Sequence, residues 1–310
     1  PNGDLAGGQV ILGLRSGLNL YANVRPIKLY DGVKHKIHDK FTQVWSPSHV
    51  DLLVLRENTE GLYHSLLRRS ALRAQGIEPE EVEEMKFGGI EGEVAWDARP
   101  ISVNGSKKLI RLGFEYAKRR NGSPSTGESN VTCVDKSNVT RGCQLFRRVF
   151  HEVGEEYPEI GKDTAYIDAF TMWMVRNPEW FDVVVTSNMF GDIVTDLGSV
   201  LQGGMGMAAS ANIGDDHGLF EPVHGSSPKH AGKGKVNPIA TINSVQMMIE
   251  WLGMRHNDEE AIQVSELIEK AVSEHLLDGS ILTYDLGGNA STSDVGNSIV
   301  DRLSKQLEAQ

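Results

Sequence analysis

Short apolar runs alternating with amphipathic helical periods predict an α/β fold with a mainly parallel sheet. Three runs carry the strand prediction: Val50–Leu55, Val131–Val134 and Val183–Thr186. Each is followed by a helical pattern.

The elements read in order. Ser106–Arg119 places Leu109, Ile110, Leu112, Gly113 and Tyr116 near one helix face with basic residues opposite. Cys143–Val153 and Phe190–Leu201 are further helices, and from Pro238 onward helical periods dominate over Ile239–Gly253, Glu259–Leu277 and Ser293–Leu307. The acidic, glycine-edged stretch Gly76–Gly92 reads as a solvated excursion and Asn121–Ser129 as a polar loop. The opening residues Pro1-Asn2-Gly3-Asp4 hold no recognisable first strand, so the sequence reads as beginning part-way into a fold.

With 310 residues and a mass of 34.0 kDa, the chain can bury the core of one large or two medium domains. No apolar run approaches the ~18 residues of a membrane span, and no signal segment opens the sequence. Cys133 and Cys143 are too few for a disulfide framework and are expected as small packed hydrophobes in a reducing, cytoplasmic setting. The net charge of −11 argues against nucleic acid or an anionic membrane as partner. In so acidic a chain, arginines gathered at a few places can build a local anion site.

The chemistry-bearing segments follow the strands. In Asn188-Met189-Phe190-Gly191-Asp192-Ile193-Val194-Thr195-Asp196, two aspartates four apart share one helix face after an apolar strand. Open α/β sheets bind ligands at that end of their strands. Paired hard oxygens suit Mg²⁺ or Mn²⁺, and an acidic helix start favoured by the macrodipole is the plain alternative. Arg56, directly after the strand ending at Leu55, can clamp a carboxylate, and Tyr63 can act as a general acid. Lys136 after the second strand is a candidate base or a solvated loop lysine. Arg15 and Arg25 could complete an anion site or be surface charges. Glycines and small hydroxyls in Glu221–Lys233 leave backbone free to approach a phosphate. No GxGxxG stands in a strand-to-helix context, and the histidines show no zinc spacing.

Taken together and in this order, the segments resemble the isocitrate/isopropylmalate dehydrogenase family of β-decarboxylating dehydrogenases, over roughly Ile11 to Leu307. The family's leucine–arginine and asparagine–valine–arginine–proline are met by Arg15 and Arg25, and its arginine–glutamate…glycine–x–tyrosine by Arg56 and Tyr63. Its valine–aspartate–lysine–x–asparagine is met by Lys136 and Asn138, its aspartate before a helix by Asp168, and its asparagine–x–phenylalanine–glycine–aspartate by Asp192 and Asp196. The segment Glu221–Gly225 matches the adenosine-binding loop.

The resemblance implies a non-Rossmann fold: a large mixed or parallel sheet domain, residues 1–55 with 193–310, and a smaller central dimerisation domain, residues 56–192. The family's glycine-rich amino-terminal segment has no counterpart in the sequence, which leaves part of the expected sheet unaccounted for. The implied activity is oxidative decarboxylation of a malate-type 2-hydroxy acid in a homodimer with shared active sites. Arg15, Arg25, Arg56 and Asn138 would bind substrate. Asp192 and Asp196, with Asp168 of a second subunit, would hold Mg²⁺ or Mn²⁺. Lys136, also from the second subunit, would take the 2-hydroxyl proton, and Tyr63 would protonate the enol. Glu221, His224, Gly225, Ser226, Lys229, His230, Val236, Asn237, Tyr284 and Asp285 would bind the dinucleotide.

Two departures refine that expectation. Isocitrate-using members carry serine and asparagine shortly before the first arginine, whereas Ile11 and Leu12 here resemble an isopropyl-binding wall, with Gln9 beside them. That favours 3-isopropylmalate, with D-malate, tartrate, homoisocitrate and isocitrate as alternatives. Lys229 and His230 stand where NAD-using members carry aspartate after the proline, and with Val236 they favour NADP, although Gly288 replaces an expected phosphate-binding arginine. A catalytically inactive regulatory subunit predicts eroded site residues, yet Tyr63, Lys136, Asp168, Asp192 and Asp196 are all present. A plain nucleotide-binding or structural α/β protein would leave that set unexplained.

Overall fold

The structure, a computed structural model, describes residues 6–64, 83–84, 92–95 and 97–309. Helix α1 (Ala6–Gly17) leads into β1 (Ala22–Lys28), the short hairpin β2 (His35–Ile37) and β3 (Lys40–Thr42), and β4 (Asp51–Glu57). Most of the stretch 76–92 lies outside the described residues; Glu83–Glu84 (β5) pairs antiparallel with Glu93–Val94 (β6). Then come α2 (Val103–Ala117), β7 (Asn130–Asp135), α3 (Arg141–Gly154), β8 (Gly161–Tyr166), α4 (Ile167–Arg176), β9 (Val183–Thr186) and α5 (Asn188–Leu201). The chain closes with β10 (Ala209–Ile213), β11 (Gly218–Pro222), α6 (Ile239–His256), α7 (Glu259–Asp278) and α8 (Thr292–Glu308).

Seven strands form the main sheet in the order β11-β10-β1-β4-β9-β7-β8. β4, β9, β7 and β8 pair in parallel, while β1 is antiparallel to both β4 and β10, and β11 to β10. Five of the seven therefore run in one direction, and β1 and β11 run against them. Strands from both expected segments, 1–55 with 193–310 and 56–192, meet in this one sheet.

Strand alternation builds the layers. In β4, Leu52 and Val54 face one way and Leu53 and Leu55 the other. The first pair packs with Phe170 and Met174 of α4, Val194 and Leu201 of α5 and the α7–α8 residues Val272, Leu276 and Ile299. The second pair packs with Phe114 of α2 and Phe146 and Phe150 of α3. Cys133 and Cys143 are both fully buried free thiols, Cys133 among these apolar side chains and Cys143 accepting from Arg99 at 3.2 Å. The result is helices on both faces of one sheet. No helix of the described residues is long and apolar enough to cross a membrane.

The helices start and stop where local chemistry dictates. Ser102 caps α2 by accepting from the Gly105 amide, Asp258 caps α7 by accepting from Ala261, and Ser291 with Asp294 forms a capping box on α8. Helix α7 ends on Gly279 in the left-handed conformation.

Close packing of α5 on β4 is what brings its aspartates to the sheet. A Cβ on Gly191 would lie 2.5 Å from both Cβ and Cγ of Arg56, atoms too near the backbone to swing aside. Gly191→Ala should therefore lower the unfolding free energy by about 1–3 kcal/mol through overpacking. Urea denaturation reads it, and an unchanged midpoint would show that strand and helix have slack between them.

Candidate active site

The site lies where parallel strands end. β4 and β9 pair in register Arg56↔Thr186, and α5 begins two residues later at Asn188. On the antiparallel side, Asn23 of β1 is the cross-strand partner of Arg56, and Arg25 that of Val54. Asn23, Arg25 and Arg56 therefore project from one face, towards α5.

Arg56 is 1% exposed. Its Nε and one terminal nitrogen donate to Asn188 Oδ1 at 3.0 and 2.8 Å, and its other terminal nitrogen donates to Asp192. Asn188 is itself fixed, donating to the carbonyl of Glu60 at 2.9 Å. Arg25, 5% exposed, donates from Nε to Asn23 and from a terminal nitrogen to Thr195, both at 2.5 Å. Its guanidinium lies 3.6 Å from Asp192 and 3.9 Å from Asp196. Arg15 reaches in from α1 to pair with Glu221 at 3.3 Å, and its buried Nε has no partner among the described residues.

These cations are crowded. Burial first, and then the charge of Arg56, bring Arg25 down to about 10. Burial likewise lowers Arg56, with Asp192 opposing the shift and Arg15 adding to it. Such a cluster binds an anion well, because each added negative charge relieves repulsion already present.

Asp192 joins the arginines to the candidate acid. Tyr63 donates its hydroxyl proton to Asp192 Oδ2 at 2.6 Å, beneath the guanidinium of Arg56 at 5.1 Å from its ring. Burial and this contact with a carboxylate raise the Tyr63 pKa, so the phenol keeps its proton. Burial opposes ionisation of Asp192, but Arg56, the Tyr63 hydrogen bond and Arg25 outweigh it and hold the carboxyl below its ordinary range. Asp196, one turn on, has a side chain 62% exposed.

Lys136 and Asp168 form a separate pair at 2.7 Å. Lys136 leaves β7 in a turn fixed by Asp135, which accepts from the Ser137 amide and is gripped by Arg147 at 2.8 and 2.9 Å. Asp168 sits in the first turn of α4 with its side chain 67% exposed. Asn138 is exposed in the same turn as Lys136. Among the described residues, no group of three acidic, histidine or cysteine side chains comes together to hold a metal.

The expected dinucleotide residues divide. His224, His230, Val236, Asn237, Tyr284 and Asp285 line a cavity of about 360 Å³, together with Lys36 and Gly203–Gly206. His230 stacks on Tyr284 with ring centres 5.7 Å apart, and Lys235 lies 4.9 Å above the same ring. Asn237 donates to Asp285 at 3.1 Å. Gly225, Ser226 and Lys229 are exposed and outside that lining, and Glu221 faces Arg15 instead.

Asn23, Asn58, Asn188, Thr195 and Asn212 were not singled out from sequence, although all are buried at the site. Two signals were available. Asn23 stands two residues before Arg25, hence on the same strand face, and Thr195 stands four after Gly191 on α5.

Asp192 makes acid stability a readout of this geometry. Its folded pKa lies below the ordinary 3.8, so as pH falls the unfolded chain takes up the proton first. The stabilisation is complete above the ordinary value and drains away as pH falls through the folded one. The stability gap between wild type and Asp192→Asn should be constant above roughly pH 5 and shrink below pH 4. A gap that stays constant down to the acid limit of folding would contradict the ionised pairing of Asp192.

Known proteins match this arrangement over most of its length. The family model for isocitrate/isopropylmalate dehydrogenase matches residues 2–299. A 3-isopropylmalate/3-methylmalate dehydrogenase of Methanocaldococcus jannaschii is 39% identical, the match covering 96% of this chain and 78% of that protein. A homoisocitrate dehydrogenase of the same organism is also 39% identical, covering 96% and 76%. Among solved structures, isocitrate dehydrogenase from Methylococcus capsulatus superposes with a TM-score of 0.77 at 36% identity, covering 98% of this chain and 78% of that one.

Proposed function

This chain belongs to the isocitrate/isopropylmalate dehydrogenase family, and from that premise we propose that it acts on a 3-substituted malate, with 3-isopropylmalate the first candidate. It is a dehydrogenase, and its family carries out oxidative decarboxylation of 2-hydroxy acids, using NAD(P) and a divalent metal. The carrying observation is the convergence of the buried Arg25 and Arg56 with the partly buried Arg15, mutually repelling, beside a residue set that can move protons. Three guanidiniums suit the two carboxylates of a malate. Ile11 and Leu12 precede Arg15 by four and three residues on α1, so they sit one turn away on a neighbouring part of the same face, half-buried. They offer an apolar contact to a C3 substituent.

The donor set also fits a divalent metal. Asp192 is held ionised by its neighbours and Asp196 is open to solvent, which leaves two hard oxygens available on one helix turn. Asp192 and Asp196 would hold Mg²⁺ or Mn²⁺ with the partner subunit's Asp168, since no third donor joins them within the described chain. When bound, the ion supplies Lewis acidity for the enolate left by CO₂. Tyr63 holds the proton delivered to that enolate, and Lys136, donated by the opposite copy, takes the 2-hydroxyl proton. Exposed Met172 and Val175 on α4 and Ile193 on α5 suit burial against a second copy, which is the proposed homodimer. The same proposal places the enzyme in the cytoplasm.

For the cofactor we propose a moderate preference for NADP. Lys36, His224 and His230 line the cavity, and Lys235 and Lys229 stand close to it, the latter in the turn Pro228–His230. The lysines of that rim suit a 2′-phosphate. The preference is only moderate because Gly288 offers no phosphate ligand, and none fits there: a Cβ would lie 2.0 Å from the Leu282 carbonyl oxygen.

A turnover screen tests the substrate. With Mg²⁺, 3-isopropylmalate should exceed isocitrate in kcat/KM by roughly 5–150-fold, because isocitrate's third carboxylate would face Ile11 and Leu12 unpaired. Equal or better use of isocitrate or homoisocitrate would move the assignment to that acid. Lys229→Asp should shift preference from NADP toward NAD. A wild type that already favours NAD by about tenfold, or 1.4 kcal/mol, would make Lys229 a solvated surface lysine.

A further inference from the structure

A row of buried amides crosses the sheet beside the arginines. In cross-strand register Arg56 of β4 faces Asn23 of β1, and Asn23 faces Asn212 of β10. Asn23 and Asn212 are both 0% exposed. Arg25 Nε donates to Asn23 Oδ1 at 2.5 Å, and Asn23 Nδ2 donates to Asn212 Oδ1 at 3.0 Å. Asn212 Nδ2 donates to Glu221 Oε1 at 3.0 Å, the oxygen that also accepts from Arg15 at 3.3 Å. Asn58 adds a second donor to Asn212 Oδ1, again at 3.0 Å.

The direction of this chain is forced. A guanidinium only donates and an ionised carboxylate only accepts, so each amide between Arg25 and Glu221 has one orientation that satisfies both neighbours. Buried amides in such a row cannot flip singly without stranding a donor or acceptor. Glu221 is the next-to-last residue of β11, before Pro222, and the chain runs on through Val223 to His224 and Ser227, which line the cavity given above to the dinucleotide. The row thus spans from a buried arginine of the substrate cluster, Arg25, to the root of the cofactor segment.

We propose that Asn23 and Asn212 are positioning residues, a fixed-polarity relay that holds Arg25 for the hydroxy acid and ties its order to that of Glu221 and Arg15. The inference rests on the reading that Arg15 and Arg25 hold the substrate's carboxylates. Without the relay, Arg25 loses the acceptor of its Nε and Glu221 loses the donor that holds it beside Arg15. Affinity for the hydroxy acid falls, while the groups that move protons are untouched.

Exchanging the polarity tests it. Asn212→Asp keeps shape and the donors Asn23 and Asn58, but sets one carboxylate against Glu221. Adding Glu221→Gln restores a donor–acceptor pair in reverse and leaves Arg15 with one carboxylate nearby. With full-length protein, Asn212→Asp should raise KM for the hydroxy acid about tenfold, with kcat within about threefold, as loss of a charge-assisted hydrogen bond does. The double variant should recover most of that loss, and its unfolding midpoint should exceed that of Asn212→Asp. A double variant no better than its worse parent, in KM and in midpoint, would overturn the relay. If Asn212→Asp does not fold, Asn23→Ser removes both the Arg25 acceptor and the donor to Asn212 and should raise KM similarly; an unchanged KM there overturns the proposal. Wild type that turns over no malate-type acid would fail the substrate reading only, since the midpoint comparison still decides the relay.

Discussion

Everything at this site depends on burying guanidinium groups at the end of a sheet. Taking Arg25 and Arg56 out of water is costly unless their donors are met, and the surrounding residues are the means of meeting them. Asn188, Asn23 and Thr195 take the nitrogens that face protein, and Asp192 takes those that face the cleft. The guanidiniums of Arg15, Arg25 and Arg56 stand against the carboxylates of Glu221, Asp192 and Asp196, so the charges of the cleft are close to balance. A dianionic acid arriving with a divalent cation leaves that balance unchanged, which is why both can enter together without a new electrostatic penalty.

The strand-and-helix alternation was legible because the buried parallel strands β4, β7 and β9 are continuous apolar runs. β1, β10 and β11 were not. Pro26, Arg25 and Asn23 break the apolar pattern of β1, and β10 is a run of small residues, Ala209-Ser210-Ala211-Asn212-Ile213, with little to mark it. β8 carries an almost wholly exposed surface, so no alternation shows. These strands owe their state to neighbours far away in sequence, which local pattern cannot report.

The site was legible in part. Asp192 and Asp196 announce themselves by spacing and position, and Arg56 by standing at a strand end. Without the family resemblance, Arg15 and Arg25 read as surface charges sooner than as an anion site, because what buries Arg25 is Thr195 and Asp192, some 170 residues on. The supporting asparagines were harder still, since an isolated Asn in a strand is usually a weak spot in the pattern rather than a partner. Lys136 and Asp168 show the limit from the other side: their local setting is clear, yet the pair reaches no third group of the described chain that would complete a metal site.

One feature of α1 bears on how such enzymes diverge. On the proposed substrate reading, Arg15 and the apolar Ile11 and Leu12 occupy successive turns of a single helix, joined through its backbone but with no side-chain hydrogen bond between them. The helical pitch would thus separate the proposed anchor for a malate's carboxylates from the proposed contact for its C3 substituent. Exchange at two adjacent positions can redraw the chemical range while the anion anchor, its partner Glu221 and the sheet beneath stay as they are. On that proposal, substrate choice rests on two side chains of one helix, and anion binding on the buried polar residues at the end of the sheet.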